Sequence, residues 1–336
     1  MAPLIVILGP TASGKSSLAL HLAKTFSGEI VGCDSVQVYR SLDIGTSKPT
    51  SRERSDVPHH LIDVVDPDQL FTAGDYAAQG RAVLAEISER RILPIVVGGT
   101  GFYLRALLMG LFSGPKRSEV VRDRLNEIVE RKGLIHLHTL LQRIDPVSAK
   151  KISAKDRPKI VRALEVFLLT SKPISRHFDE GRVPLQGFKI LKIGLNPPRK
   201  SLYEAIDRRV DKMFADGLVE EVKSILSRGY SPASKALNSL GYSQVVRHLQ
   251  GELTLAETVE MTQRETRRYA KRQMTWFRKE NEVIWYDGFG GDLSMQSTSQ
   301  SIVRAFLDSL QQAIQMPEFR DLAGLKCNDD TTDGRM

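Results

Sequence analysis

Cysteine is scarce in this chain. There are two in 336 residues, Cys33 and Cys327, too far apart in sequence to read as a metal-ligand pair or a disulfide framework. Tryptophan is as rare, and aromatic residues make up 7% of the chain. No apolar run approaches the roughly 20 residues of a membrane span, and no basic segment followed by a long apolar stretch opens the sequence. A disulfide scaffold, a secretory leader and a membrane anchor are therefore not expected, and a reducing, cytoplasmic compartment is. An acidic excess is missing too: Lys and Arg number 48 against 40 Asp and Glu, a net charge of +8. Such a balance leans toward an acidic partner such as nucleic acid, although a simply basic soluble protein fits it equally well.

The hydrophobic fraction of 41% and charged fraction of 26% are those of an ordinary globular protein. Residues 4–8 (LIVIL) form a continuous apolar run, the mark of a parallel strand buried on both faces. A helix with Leu18, Leu22 and Phe26 at helical spacing follows, then a strand over 30–33. A Pro-, His- and Asp-rich loop region extends to about Phe71, with a helix over 74–90 and a strand over 92–97 beyond it. Residues 188–195 and 283–286 read as further strands, with Leu202, Ile206, Val210 and Met213 on a helix between them. Strands alternating with helices predict an α/β fold with a parallel sheet. Residues 118–178 lack a strand pattern and show helical periodicity. The expected organisation is a core over 1–112 and 186–316, an all-helical insert over 113–185, and a disordered tail over 317–336.

Gly9 to Ser16 reads GPTASGKS, a P-loop with a buried strand before it and an amphipathic helix after it. Its glycines let backbone N–H groups face an anion, and the helix N-terminus adds partial positive charge. Lys15 supplies a full charge, and Ser16 can hold Mg²⁺. An NTPase usually adds an acidic residue at another strand tip for metal and water. Strand 92–97 instead runs into Gly98, Gly99 and Thr100, and a threonine can bond a phosphate oxygen but is no carboxylate. The remaining strand-tip acid is Asp34. It is either a metal ligand in a kinase or a base acting on something beside a diphosphate.

Two basic stretches accompany the loop. Residues 264–279 hold seven Lys or Arg in sixteen, with Arg264, Arg268 and Arg272 aligned on a helix and Val259, Thr266, Tyr269, Gln273 and Trp276 on a less polar side. Residues 150–162 hold six basic residues in thirteen. Both suit phosphate tracking on a substrate much larger than a nucleotide, or a solvated basic face. His59-His60 has no further ligand partner nearby in sequence and reads as a structural or loop element.

The stretches GPTASGKS, CDSVQVYRSLDIGTSKP, PHHLIDVVDPDQLFTAGDY, VGGTGFYLRALLMGL and YAKRQMTWFRK run in order through most of the chain. Together they resemble the bacterial tRNA dimethylallyltransferase, or tRNA isopentenyltransferase, family. The resemblance implies transfer of a dimethylallyl group from dimethylallyl diphosphate to N6 of the adenosine 3′-adjacent to the anticodon (position 37), releasing diphosphate. It also implies Mg²⁺ as cofactor, a P-loop core and an insert that grips the anticodon stem-loop of tRNA; a monomer is expected. By the same resemblance Gly9, Pro10, Thr11, Ala12, Ser13, Gly14, Lys15 and Ser16 bind the diphosphate, with Thr11 to Ser16 nearest the donor and Thr11 and Lys15 expected to act in catalysis. Asp34 matches the general base. Asp34, Ser35, Val36, Gln37, Thr100, Arg122 and the stretch Pro158, Lys159, Ile160, Val161, Arg162 match tRNA-contacting positions.

The last stretch departs from the family, which commonly has Gln-Arg where this chain has Pro158-Lys159. Lysine replaces arginine as a point charge but not as a bidentate fork. The zinc finger of eukaryotic relatives is absent, as two cysteines require. Competing readings are an adenylate isopentenyltransferase, for which the basic stretches are superfluous, a nucleotide or small-molecule kinase, and a non-catalytic RNA-binding P-loop protein. ATP turnover separates the kinase from the rest.

Overall fold

The structure is a computed structural model and describes residues 1–179 and 181–315. The tail expected over 317–336, with Cys327, lies outside the described residues. Six strands build one sheet: β1 Ala2–Leu8, β2 Glu29–Gly32, β3 His59–His60, β4 Pro94–Gly98, β5 Phe188–Leu195 and β6 Val283–Tyr286. Their order is β3-β2-β4-β1-β5-β6, and each neighbouring pair is parallel. The α/β P-loop fold is thus the observed one.

Leu4 to Leu8 are at most 1% exposed, which explains the unbroken apolar run. Helices cover both faces of a parallel sheet, so a central strand has no polar side. Helices Lys15–Phe26 and Leu293–Gln315 set Leu18, Leu22, Met295 and Val303 against Ile5, Ile7, Ile95 and Ile193. Each such side chain, fully buried, contributes about 1.5–3 kcal/mol. The register pairs Leu8 with Gly98 and Gly32 with Val97. The carboxyl ends of β1, β2 and β4 therefore lie level, and the loops after them share one edge of the sheet. That edge is where open α/β sheets bind ligands.

Three points refine the sequence reading. Of the two roles open to His59 and His60, the structure has the structural one: they pair with Ile30 and Val31 as strand β3. His60 Nε2 lies 2.7 Å from the Glu29 carboxylate, which also takes Arg90 at 2.6 Å. Within the same supposed loop, Ser51–Asp56 is helical, started by a Thr50–Glu53 capping box. The basic helix is longer than its charged run, spanning Leu255–Phe277 from a Thr254–Glu257 capping box. Its buried face is Thr258, Thr262, Ala270, Gln273 and Phe277, one step round from the side expected.

By compactness the chain divides into residues 1–107 with 186 onward, and residues 108–185. Among its described residues the second unit is helical apart from one antiparallel bridge, Phe112–Arg182. Leu125, Leu137, Leu141, Ile160, Leu164 and Ile174 form its core.

Candidate active site

β1 ends at Leu8, and the loop from Gly9 turns into a helix beginning at Lys15. Ala12 sits at φ 61, a left-handed conformation costing a non-glycine residue about 1–2 kcal/mol. The loop is braced from inside. Ser13 is fully buried, its Oγ donates to the Pro10 carbonyl at 2.8 Å, and its own carbonyl accepts the Gly290 N–H at 2.9 Å. A cavity of about 410 Å³ opens on the other side, lined by Thr11, Ala12, Gly14, Lys15 and Ser16. Gly9, Pro10 and Ser13 are not among its lining residues.

The cavity favours an anion. Burial, then the charge of Arg209, pushes the Lys15 ammonium down to about 7, with Asp34 opposing. Arg209 also lines the cavity, and burial lowers its pKa against the pull of Asp34. Two cations thus share a desolvated space with one carboxylate, and a bound anion would offset the cost of burying them. Lys15 Nζ donates to the Pro10 carbonyl at 2.6 Å, and Arg209 Nη2 to the Thr46 carbonyl at 3.3 Å. Sequence reasoning missed Arg209. It sits in helix Arg199–Ala215 beside the apolar row of Leu202, Ile206 and Val210, with no local signal to separate it from Arg208.

Asp34 lines the same cavity, just beyond β2. The Cys33 N–H donates to the Val97 carbonyl at 2.8 Å, and the Thr100 N–H to the Cys33 carbonyl at 3.2 Å. A Cβ on Gly98 would stand 2.0 Å from the Cys33 carbonyl oxygen, so only glycine lets the two loops pass. Asp34 Oδ1 accepts the N–H groups of Val36 at 2.8 Å and Gln37 at 3.2 Å. Oδ2 makes no hydrogen bond among the described residues. Gln37 lines the cavity, whereas Ser35, Val36 and Thr100 do not. The Thr100 hydroxyl is spent on Ser35, accepting its N–H at 3.0 Å. Beneath them burial pushes the Cys33 thiol up to about 12, leaving it protonated and inert.

Among the described residues no three His, Cys, Asp or Glu side chains gather as a metal cage. Mg²⁺ keeps several waters and is commonly held by one or two protein oxygens plus substrate phosphates. Ser16, which lines the cavity, supplies an oxygen donor of that kind.

The other sequence-predicted residues belong to the second unit. Glu165 is fully buried there, and Arg122 grips it with Nε and Nη2, both at 2.9 Å. Arg162 reaches it with Nη1 at 2.7 Å and donates through Nη2 to the Pro115 carbonyl at 2.8 Å. Burial would raise the Glu165 pKa, but Arg122 and Arg162 hold it at about 2. Ile160 and Val161 are core residues, while Pro158 and Lys159 are exposed, Lys159 paired with Asp156. Any ligand contact by side chains of 158–162 must therefore run through Pro158, Lys159 or Arg162.

A parallel sheet whose central strand feeds a P-loop, opening on a cationic cavity with one carboxylate, defines a phosphate-binding enzyme of the P-loop class. Residues 37–280 match the family described as IPP transferase, and residues 2–64 match isopentenyl transferase. The chain belongs to the IPP transferase family. The tRNA dimethylallyltransferase of Solibacter usitatus is 52% identical over 305 residues, covering 91% of this chain and 99% of that protein. That of Koribacter versatilis is 52% identical over 301 residues, covering 90% and 98%. The crystal structure of a full-length tRNA isopentenylpyrophosphate transferase from Bacillus halodurans is 36% identical, with a TM-score of 0.70, covering 94% of this chain and all of that one. A eukaryotic dimethylallyltransferase captured acting on tRNA is 29% identical, with a TM-score of 0.78, covering 93% and 80%.

Proposed function

We propose that the chain transfers a dimethylallyl group from dimethylallyl diphosphate to N6 of adenosine 37 in tRNA, releasing diphosphate. The observation that carries this reading is the pairing within one cavity of a cationic phosphate cradle and a carboxylate with one oxygen free, with no acid at the tip of β4 to activate water. Adenine N6 is a weak nucleophile, because its lone pair is delocalised into the ring. Asp34 Oδ2 takes an N6 proton as the N6–C1 bond forms and the bond from C1 to the diphosphate oxygen breaks. Lys15, Arg209 and the loop amides stabilise the charge gathering on the leaving group. Ile62, Val97 and Ala205 line the same cavity and suit the five-carbon chain. Bound Mg²⁺, held through Ser16, would supply further neutralisation of the diphosphate.

An adenine in a stacked loop cannot enter such a cavity, so the nucleotide is flipped out. The exposed Arg264, Arg268, Lys271 and Arg272 suit the RNA backbone, as does Lys159 in the second unit, whose role we take to be gripping the anticodon stem-loop. Arg122 and Arg162, oriented by Glu165, would present their remaining donors to it. We take the chain to act as a monomer, in the cytoplasm where tRNA is modified. Incubation with dimethylallyl diphosphate and unmodified tRNA, followed by nucleoside mass analysis, tests the reading. Isopentenyladenosine is expected. ADP formed in step with phosphorylation of an acceptor would favour a kinase instead.

A further inference from the structure

Gln273 is 6% exposed and its amide bridges two walls of the cavity. Oε1 accepts the Thr11 N–H at 2.8 Å, and Nε2 donates to the Gly99 carbonyl at 2.9 Å. The chemistry fixes the amide's orientation. A backbone N–H only donates and a carbonyl only accepts, so a flipped amide would set donor against donor and acceptor against acceptor. Gly99 is fitted to this contact, since a Cβ there would stand 2.2 Å from Gln273 Nε2. Any larger residue would push the amide out.

The two walls matter for the ligand. Thr11 follows β1 and Gly99 follows β4, and both line the cavity, as does Gln273 itself. Among the described residues no other hydrogen bond joins the loop 9–14 to residues 98–100. Ala12, next to Thr11, holds a left-handed φ of 61, a strained conformation that persists only where the surroundings enforce it. The Thr11 N–H is also a donor that a phosphate cradle could offer an anion. Here it is committed to Gln273, so an anion meets the remaining amides and the Thr11 hydroxyl.

We propose that Gln273 is a positioning residue for the diphosphate. By spanning Thr11 and Gly99 it sets the width of the phosphate end of the cavity, and ties that width to the helix bearing Arg264, Arg268 and Lys271. The inference rests on the diphosphate reading of the site. It gives the polar residue on the buried face of a basic helix a task that packing alone does not.

The test uses the full chain, titration calorimetry with inorganic diphosphate, and two variants. Gln273→Met keeps the volume and removes both hydrogen bonds. Its diphosphate Kd should rise about tenfold, the equivalent of roughly one buried hydrogen bond, with tRNA affinity unchanged. Gln273→Glu carries the sharper signature. Its protonated carboxyl can accept from Thr11 and donate to Gly99, whereas its carboxylate opposes the Gly99 carbonyl. The affinity deficit of this variant relative to the wild type should therefore shrink as the pH is lowered from 8 to 6, an outcome mere folding damage does not produce. Wild-type affinity in both variants, or a deficit in Gln273→Glu that ignores pH, overturns the role. A wild-type chain that binds diphosphate but makes no isopentenyladenosine overturns the proposed reaction and leaves this role standing. Failure of the wild type to bind diphosphate overturns both.

Discussion

Thr100 Oγ1 accepts the backbone N–H of Ser35 at 3.0 Å, while the Thr100 N–H donates to the Cys33 carbonyl at 3.2 Å. Asp34 is thereby pinned on both sides by a residue from a different strand end. In this arrangement Thr100 acts on the carboxylate's position and not on a phosphate. Thr100→Val, which keeps the shape and loses the oxygen, should lower kcat about tenfold, the value of roughly one hydrogen bond. Thr100→Ser should restore most of the rate. Equal losses in both would mean that the hydroxyl is not what matters.

Asp34→Asn removes the base and spares the loop, because an amide oxygen can still accept the Val36 and Gln37 N–H groups now bonded to Oδ1. Turnover should fall by roughly 10²–10⁴, the usual span for general base catalysis, with tRNA and donor affinity near normal. Single-turnover rates close to wild type would remove Asp34 from the chemistry.

Lys15 ties stability to pH. Burial and then Arg209 push its pKa from 10.5 to about 7, Asp34 opposing. Between those values the folded chain binds fewer protons than the unfolded one, so stability rises with pH across that window, and below pH 7 the cost of the buried charge is complete. Lys15→Met should therefore stabilise the fold by an amount on the order of a few kcal/mol at pH 6, dwindling toward pH 10.5. Donor affinity runs the other way. A diphosphate favours the protonated lysine, so wild-type binding should weaken above pH 7 by no more than tenfold per unit, and Lys15→Met should lose that slope. Thermal melts and donor titrations at both ends of the range decide it.

Glu165 anchors Arg122 and Arg162 in the second unit, its carboxyl held at about 2 against burial by the two guanidinium groups. Its stabilising contribution is present above the ordinary carboxylate range and is lost as pH falls toward 2. Removing one member of a buried ion cluster costs about 3–5 kcal/mol, reduced here because the arginines keep 18% and 27% of their side-chain surface. Glu165→Gln should destabilise the chain by roughly 2 kcal/mol at pH 7, with the difference narrowing in acid. A pH-independent difference in denaturant melts would show that charge is not the cause.

What the sequence made legible follows from range. The P-loop, its strand and its helix are consecutive, so local pattern suffices, and buried runs such as residues 4–8 of β1 announce themselves by composition. β3 has two residues and exists only through pairing with Ile30 and Val31. Arg209 and Gln273 reach the cavity from helices far along the chain, and Gln273 lies 262 residues from its partner Thr11. Nothing near Arg209 in sequence marks it out, and the stretch YAKRQMTWFRK that contains Gln273 does not show what its amide bonds. The stretch 158–162 shows the opposite failure, since a run of contact candidates on a helix necessarily includes residues facing its core. Ile160 and Val161 are those residues.

The basic helix offers a test of the RNA reading that leaves the donor site alone. Arg268 is exposed and, among the described residues, its only ion pair is with Glu265, at 2.6 Å, while Lys271 is exposed and makes none. Neither lines the cavity. Each cation that meets a phosphate releases a condensed counterion, so binding weakens with salt by a log–log slope of about 0.7 per contact on single strands. Replacing Arg268 and Lys271 by Ala should thus weaken tRNA binding at low salt and flatten the slope by roughly 1.4. Diphosphate affinity should not change, because Lys15, Arg209 and the loop amides are untouched. Lys159→Ala, in the second unit, should flatten the slope by about half as much, one contact instead of two. If all these variants keep the wild-type slope, these side chains face solvent in the complex, and the grip on tRNA lies elsewhere.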